Sequence, residues 1–260
     1  MDGRTRTADW QAAGMTQTLV RPPRTPEASF NGDGSNAPSE RDPLPPGRAL
    51  SKRAFDLTVS IAVLLLLTPA LALIALVVRV DSRGPVFFRC RRVGFRGRPL
   101  HMLKFRKMHD RATGPELTTH GDERFTRAGK WLAKLKADEL PQFVNVLRGE
   151  MSLVGPRPES YDFVGHHPED FEEITRVKPG IMGLSQLAFA EESAILDDED
   201  PLGHYVDHIL PQKVALDLLY AERWSFLLDI RIAFWTVAAV GLRRQVAVNR
   251  QTGRMSLRRR

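Results

Sequence analysis

DELPQFVNVLRGEMSLVGPRPE, residues 138–159, is the stretch around which the rest of the chain is organised. It opens with adjacent carboxylates, Asp138 and Glu139, and Pro141 then begins an apolar periodic run of Phe143, Val144, Val146 and Leu147. Proline suits the first turn of a helix, where its missing N–H would be unpaired in any case. The two acids therefore fall just before or at a helix N-terminus, where partial positive charge favours an ionised carboxylate and attracts phosphate. Gly149 suits the left-handed cap that ends such a helix. In the Gly155-Pro156-Arg157-Pro158 turn that follows, two prolines fix the backbone and aim one guanidinium. Two acids, a helix start and a fixed arginine form a constellation that can handle a phosphate ester and its metal ion. The plainer alternative is a charged first turn that only complements the helix dipole.

The chain has 260 residues, room for one or two domains with a sizeable core. Its net charge of +7 points to an anionic partner: nucleic acid, phospholipid head groups or a phosphorylated substrate. A single cysteine, Cys90, excludes an internal disulfide and reads as a packed strand thiol. Residues 1–47 hold seven prolines and five glycines among few large apolar residues, a composition that predicts a disordered N-terminal tail.

Lys52-Arg53 introduces LTVSIAVLLLLTPALALIALVV, residues 57–78, without a charge. At about 1.5 Å per residue this run spans a ~30 Å hydrocarbon core, so a membrane helix is expected over 54–80. Thr68-Pro69 lies at its middle, where proline removes a backbone hydrogen bond and a neighbouring hydroxyl can satisfy the freed carbonyl. Basic residues flank both ends and choose no orientation. A bent helix that enters and leaves by one face and a kinked crossing both fit.

From Arg83 to Arg111 ten cations meet one acid, Asp110. Val86-Phe87-Phe88 and Leu100 to Phe105, joined through Gly94 and Gly97, read as a β-hairpin. Emerging from a membrane segment, its arginines and lysines suit phospholipid phosphates and an anionic substrate better than nucleic acid. Arg124 to Lys136 places Phe125, Ala128, Trp131, Leu132 and Leu135 on one face of a basic helix, the pattern of an interfacial helix. Glu191 to Asp200 holds six acids and reads as a solvated loop. His204 and His208 have helical ligand spacing but no third ligand. Val214 to Val240 is apolar yet interrupted by Asp217, Glu222, Arg223, Asp229 and Arg231, which favours an amphipathic helical region over a crossing. Residues 243–260 carry seven arginines and no acid, a basic tail for anionic lipid or a disordered terminus.

Five blocks now carry a family resemblance: KRAFDLTVS with its proline-broken apolar run, GPVFFRCRRVGFRGRPLHMLKFRKM, DELPQFVNVLRGEMSLVGPRPE, VKPGIMGLSQL and RWSFLLDIRIAFWTV. The chain from Lys52 to about Val240 resembles the bacterial sugar transferases that are monotopic, short-form polyprenyl-phosphate phosphoglycosyl transferases. The resemblance implies transfer of a sugar-1-phosphate from a UDP-sugar to polyprenyl phosphate, with release of UMP. It implies Asp138 as the nucleophile of a covalent aspartyl-phosphosugar intermediate. Glu139 would assist proton removal or shape a Mg²⁺ site that includes Asp138. Arg157, with Lys104 and Arg106, would bind substrate phosphate, and Lys178, Gly183 and Gln186 would lie in the nucleotide and sugar region. The Thr68-Pro69 break would make the membrane helix re-entrant, with the catalytic domain on the cytoplasmic face of the bacterial inner membrane.

The expected architecture is thus α+β and membrane-associated: a re-entrant helix, a small hairpin and several amphipathic interfacial helices in one domain over 48–242. The expected partners are a UDP-sugar, polyprenyl phosphate and the phospholipid membrane, with no nucleic acid and a homodimer left open. The sequence departs from the family's usual pattern at Lys136-Ala137, at Ala133 and over Met182 to Leu187. Two other readings predict different outcomes. A glycosyl transferase would release UDP. A membrane-anchored scaffold binding lipid through the basic hairpin would be indifferent to loss of the Asp138 carboxylate.

Overall fold

The computed structural model describes residues 46–114, 117–118, 122–192, 195–196, 199–242 and 244–257. Of the N-terminal segment 1–47 expected to be disordered, residues 1–45 lie outside the described residues, while Pro46 and Gly47 begin the first helix. Helix α1 (Pro46–Asp81) runs for 36 residues, well beyond the 54–80 expected. It is helical through Pro69, and the Thr68 hydroxyl donates to the Leu64 carbonyl at 2.6 Å. In its most apolar window only 6% of residues are buried, so it is not the core helix of a soluble protein. Leu65, Leu66 and Leu73 are all more than half exposed.

Both ends of α1 grip the body. Lys52, Asp56 and Ser60 recur every four residues, so they share one face, and all three are buried. Asp56 accepts from the Ser152 hydroxyl at 2.8 Å and the Leu153 N–H at 3.2 Å, and Lys52 donates to the Val154 carbonyl at 3.1 Å. At the other end, the Asp81 carboxylate accepts from the Ala128 N–H at 3.0 Å. Val78 packs with Phe105 and Leu132. Only the middle stands clear of protein.

Strands β1 (Phe87–Val93) and β2 (Pro99–Phe105) form the expected antiparallel hairpin, from Phe87 opposite Phe105 to Val93 opposite Pro99. Its turn uses positive φ at Arg96 and Gly97. Helix α2 (Arg127–Leu135) is capped by Thr126, whose hydroxyl accepts from the Gly129 N–H at 2.9 Å. A Cβ on Gly129 would lie 1.8 Å from the Lys107 carbonyl, so the absent side chain lets α2 rest on the backbone after β2. The apolar face of α2 divides: Leu132 enters the core, while Trp131 and Leu135 point outward.

Helix α3 (Gln142–Arg148) ends at Gly149, in the left-handed conformation expected of it. Arg53 of α1 donates to the Val146 and Leu147 carbonyls at 2.6 and 2.9 Å, satisfying acceptors that a helix end leaves open. Strand β3 (Ser152–Val154) pairs in parallel with β4 (Gly180–Met182), and the short helices α4 (Tyr161–Val164) and α5 (Pro168–Ile174) form the crossover. Helices α6 (Leu184–Ala188), α7 (Pro201–His204) and α8 (Leu210–Arg223) follow, with a π-helical turn over Tyr205–Ile209 before α8. Helix α9 (Phe226–Leu242) exposes Leu227, Ile230, Phe234 and Val237 on one side and buries Ile232 and Asp229 on the other.

Of the segment 243–260, expected to be a basic tail or a disordered terminus, the described residues 244–257 hold a folded hairpin. Strands β5 (Val246–Val248) and β6 (Met255–Leu257) pair antiparallel, and Val246 and Met255 enter the main core beside Leu184 and Leu219. Two apolar residues at hairpin spacing outweigh the arginines around them. That main core joins β2, β3, α3, α6, α8 and α9, and a second cluster joins α4, α5, the π turn and α8.

Candidate active site

The Asp138-Glu139 pair occupies a 3₁₀ turn, Ala137–Glu139, between α2 and α3. Lys136 adopts φ +55° at the end of α2 and turns the chain sharply, which sets the two acids at the base of a basic cluster. Strand β2 supplies that cluster. Lys104 Nζ lies 2.9 Å from Glu139 Oε1, and Lys107, two residues past the strand, lies 3.5 Å from Asp138 Oδ2. Asn145 of α3 locks strand to helix: its side chain accepts from the Leu103 N–H at 3.0 Å and donates to the His101 carbonyl at 2.9 Å.

Arg157 closes the cluster from the other side, its Nη2 3.0 Å from Glu139 Oε1. Its turn is clamped to β4 by the Gly155 N–H donating to the Met182 carbonyl at 2.9 Å and the Gly180 N–H donating to the Pro156 carbonyl at 2.8 Å. Behind it, Glu159 meets Lys213 of α8 at 2.7 Å, and Lys213 also reaches Glu192 at 3.2 Å and the Tyr205 hydroxyl at 2.7 Å. These residues are largely buried, so the turn rests on a solvent-poor ionic frame rather than on a surface pair.

The electrostatics divide the two acids. Burial opposes ionisation of Glu139, but Arg157 and Lys104 outweigh it and hold the carboxyl well below the usual carboxylate range. The same carboxylate, working against burial, raises Arg157 above its ordinary value. Burial pushes the Lys107 ammonium below the usual lysine value, with Asp138 opposing that shift. Asp217, one turn after Lys213 on α8, is buried with Oδ1 lacking a hydrogen-bond partner, and burial pushes its carboxyl up to about 7.

Asp138, Glu139, Lys104 and Arg157 are therefore brought together. Arg106 is not with them: its guanidinium donates to the Val78, Ser82 and Arg83 carbonyls at 3.2, 2.7 and 2.7 Å and ends α1. Arg106 follows Phe105, the last residue of β2, so strand alternation, which would set it on the Lys104 side, no longer fixes its direction. Gly183 and Gln186 sit behind the arginine turn, with Gly183 against the Gly155 carbonyl and Gln186 donating to the Gly180 carbonyl at 3.3 Å. Lys178 lines a cavity beside Arg53, beyond the far end of α3. The His204 and His208 rings lie 5.1 Å apart, and among the described residues no group of three or more His, Cys, Asp or Glu could hold a metal.

Sequence reasoning did not single out Lys107, Lys213 and Asp217. Lys107 was one of ten cations in a basic segment, and nothing in the spacing distinguished it. Lys213 and Asp217 stand four apart on a helix, a pattern indistinguishable from a surface pair until the burial of α8 is known.

Two carboxylates facing three cations can take a doubly charged diphosphate without excess repulsion. The donor set also fits Mg²⁺ shared with such a substrate, which uses one or two carboxylates and leaves its other positions to phosphate oxygens and water.

Comparison with known proteins gives the same direction. The model of a family described as bacterial sugar transferase matches residues 47–243. An undecaprenyl-phosphate glucose phosphotransferase of Komagataeibacter xylinus is 41% identical over 207 residues, covering 76% of this chain and 37% of that protein. The UDP-glucose:undecaprenyl-phosphate glucose-1-phosphate transferase of Escherichia coli K12 is 38% identical over 205 residues, covering 75% of this chain and 41% of its own. The exopolysaccharide production protein ExoY of Sinorhizobium fredii is 33% identical over 224 residues, covering 80% of this chain and 92% of its own. The chain thus spans about two fifths of the length of the first two relatives and nearly all of the third. With the family match extending over 47–243, the chain belongs to the bacterial sugar transferase family.

Proposed function

We propose that this protein moves a sugar-1-phosphate from a UDP-sugar to polyprenyl phosphate at the membrane surface and releases UMP. The observation that carries the reading is the buried Asp138, paired at 3.5 Å with Lys107 and flanked by a Glu139 that two further cations hold ionised. The names of two relatives carry glucose, one of them as UDP-glucose, which makes UDP-glucose the first donor to try.

In the first step a carboxylate oxygen of Asp138 forms a bond to the β-phosphorus. The bond from that phosphorus to the bridging oxygen breaks, and UMP leaves with the electron pair. In the second step an oxygen of polyprenyl phosphate attacks the same phosphorus, and the Asp138 carboxylate is released. One difficult displacement becomes two easier ones. Lys107 covers Asp138 and passes its ammonium to the incoming phosphate, which frees the nucleophile. Arg157 and Lys104 hold the transferring oxygens, Arg157 with the planar fork that suits phosphate. Bound Mg²⁺, held by Asp138 with Glu139 beside it, would neutralise charge on the diphosphate as UMP leaves. Glu139 is a weak proton acceptor because two cations stabilise its ionised form, so its part is to anchor Lys104 and Arg157. A phosphate monoester with a second pKa near about 6 arrives largely deprotonated and needs little help from a base.

The lipid acceptor reaches the site along an exposed apolar margin. Trp131 and Leu135 of α2 lie one turn apart just before the dyad, and α2 packs against the end of α1. Because both ends of α1 hold the same body while its middle is bare, a re-entrant path with a bend near Pro69 is favoured over a crossing. On that path the domain would lie on one face of the membrane, which we assign to the cytoplasmic side, where nucleotide sugars are found.

The test uses detergent- or nanodisc-held protein with Mg²⁺ and a panel of UDP-sugars led by UDP-glucose, with and without polyprenyl phosphate. Lipid-dependent UMP formation supports the reading. Release of UDP would move the protein to the sugar-only transferases.

A further inference from the structure

A cavity of about 280 Å³ opens at the root of α1, lined by Lys52, Arg53, Arg176, Lys178, Phe95 and Trp224 among others. It lies apart from the Asp138 site. Arg53 contacts the last carbonyls of α3, whereas Asp138 precedes its first turn, so the length of that helix, about 10 Å, separates them. Four cations and one acid, Asp56, line the cavity; Asp56 is engaged by Ser152 and Leu153, Lys52 pairs with Asp229 behind the wall, and Arg176 pairs with Glu173 at 2.7 Å through Nη2. The Arg176 Nε is buried without a hydrogen-bond partner. Lys52 lies 6.0 Å from the centre of the Trp224 ring, so cationic and aromatic walls meet.

Its position in the fold selects the ligand. Lys52 and Arg53 immediately precede the uncharged run of α1, at the depth of lipid head groups. Trp224 immediately precedes α9, whose outward face shows Phe226, Leu227, Ile230 and Phe234. Phe55 of α1 and Phe226 of α9 meet edge to face at 5.4 Å, so the two apolar surfaces converge beside the cavity. A ligand that places an anion among Arg53, Arg176 and Lys178 would lay its chains on exposed hydrocarbon-facing side chains.

We propose that this cavity binds the phosphate head group of an anionic phospholipid and so fixes the enzyme's depth and orientation in the membrane. The proposal rests on the membrane reading of α1, and its test is read without catalysis. Purified full-length protein in mild detergent is offered equimolar phosphatidylglycerol and phosphatidylcholine, and retained lipid is measured by native mass spectrometry. A paired sample carries the double substitution Arg176→Gln/Lys178→Gln, at partly exposed side chains outside the core. The parent is expected to retain phosphatidylglycerol in at least about tenfold preference, and the variant to lose that preference while keeping its thermal melt. Brominated acyl chains should quench Trp224 fluorescence in the parent more than in a Trp224→Phe control. Equal retention of the two lipids, or an unchanged preference in the variant, overturns the proposal. Displacement of the lipid by inorganic phosphate or UMP assigns the cavity to a soluble phosphate compound and also overturns it. Retention of neither lipid overturns the membrane reading together with the proposal.

Discussion

Two buried acids in this molecule, Asp229 and Asp138, are each paired with a lysine, and the difference between them separates scaffold from chemistry. Asp229 has no exposed surface and is saturated: Lys52 lies 2.5 Å away, the Tyr220 hydroxyl 2.7 Å and the Trp224 indole N–H 3.2 Å. Its carboxylate has nowhere to go, and the lysine it neutralises holds α1 to β3 through the Val154 carbonyl. Asp138 is equally hidden, but Lys107 stands 3.5 Å off, partly exposed and drawn toward its neutral form by burial. Satisfied charges of the first kind hold a fold together. A charge with one loose, movable partner is the one that the proposed function uses to attack phosphorus.

The sharpest way to break this contrast is to neutralise each acid in turn. Asp138→Asn should abolish UMP formation, a loss on the order of 10³-fold or more, while leaving the thermal melt nearly unchanged. Asp229→Asn should do the reverse. It leaves Lys52 buried without its counter-charge, which destabilises by roughly 3–5 kcal/mol, visible as a lowered melting temperature and poorer membrane extraction. If the two variants behave alike in both assays, the distinction fails.

Arg157→Lys sharpens the picture on the catalytic side. It keeps the charge that holds Glu139 ionised but loses the planar fork, and a loss of roughly 10²-fold in kcat/KM is expected. Full activity in that variant would show that charge alone suffices there.

Asp217 supplies a pH test of the frame behind Arg157. Its carboxyl titrates near about 7 in the fold against an ordinary 3.8, so the folded chain holds a proton that the unfolded chain has lost. Stability contributed by that protonated form is therefore full below about pH 4 and declines as pH rises toward 7. Asp217→Asn stays neutral throughout. It should match the parent in chemical denaturation below about pH 4 and exceed it at pH 8, by up to roughly 4 kcal/mol. Equal stability at both values would mean Asp217 is already ionised in the fold.

The smallest effect on rate is expected at Gly129, where an added methyl would meet the Lys107 backbone carbonyl. Gly129→Ala should shift Lys107 and lower kcat several-fold, with a clear loss of stability because backbone must move to relieve the clash, measured by steady-state assay alongside a melt.

Much of the site was legible before the coordinates. Pro141 and Gly149 bracket α3 because one lacks a donor and the other accepts a positive φ, both local properties of the chain. The hairpin and the prolines that stiffen the Arg157 turn are local in the same sense, whereas the clamp of that turn to β4 is not. What could not be read was long-range. Whether Lys104 faces Glu139 depends on which side of β2 meets α3, and the Asn145 bridges that settle this lie more than forty residues from the strand. Arg106 instead binds the end of α1, a partner invisible in a list of cations. The acids at Asp217 and Asp229 were read as interruptions of an apolar run, but the groups that face them when buried, Lys213, Lys52 and Tyr220, lie at other helix positions. The arginine-rich terminus misled because charge dominates its composition, whereas Val246 and Met255 decide its packing.

The most direct test of the central claim is the mass of the protein after brief exposure to UDP-glucose and Mg²⁺ without polyprenyl phosphate, followed by peptide mapping. The account predicts an increment of one phosphosugar on the peptide containing Asp138, discharged when polyprenyl phosphate is added and absent from Asp138→Asn. An unmodified protein that nevertheless forms lipid-linked product would contradict it, because transfer would then run directly from nucleotide to lipid without Asp138 as the carrier.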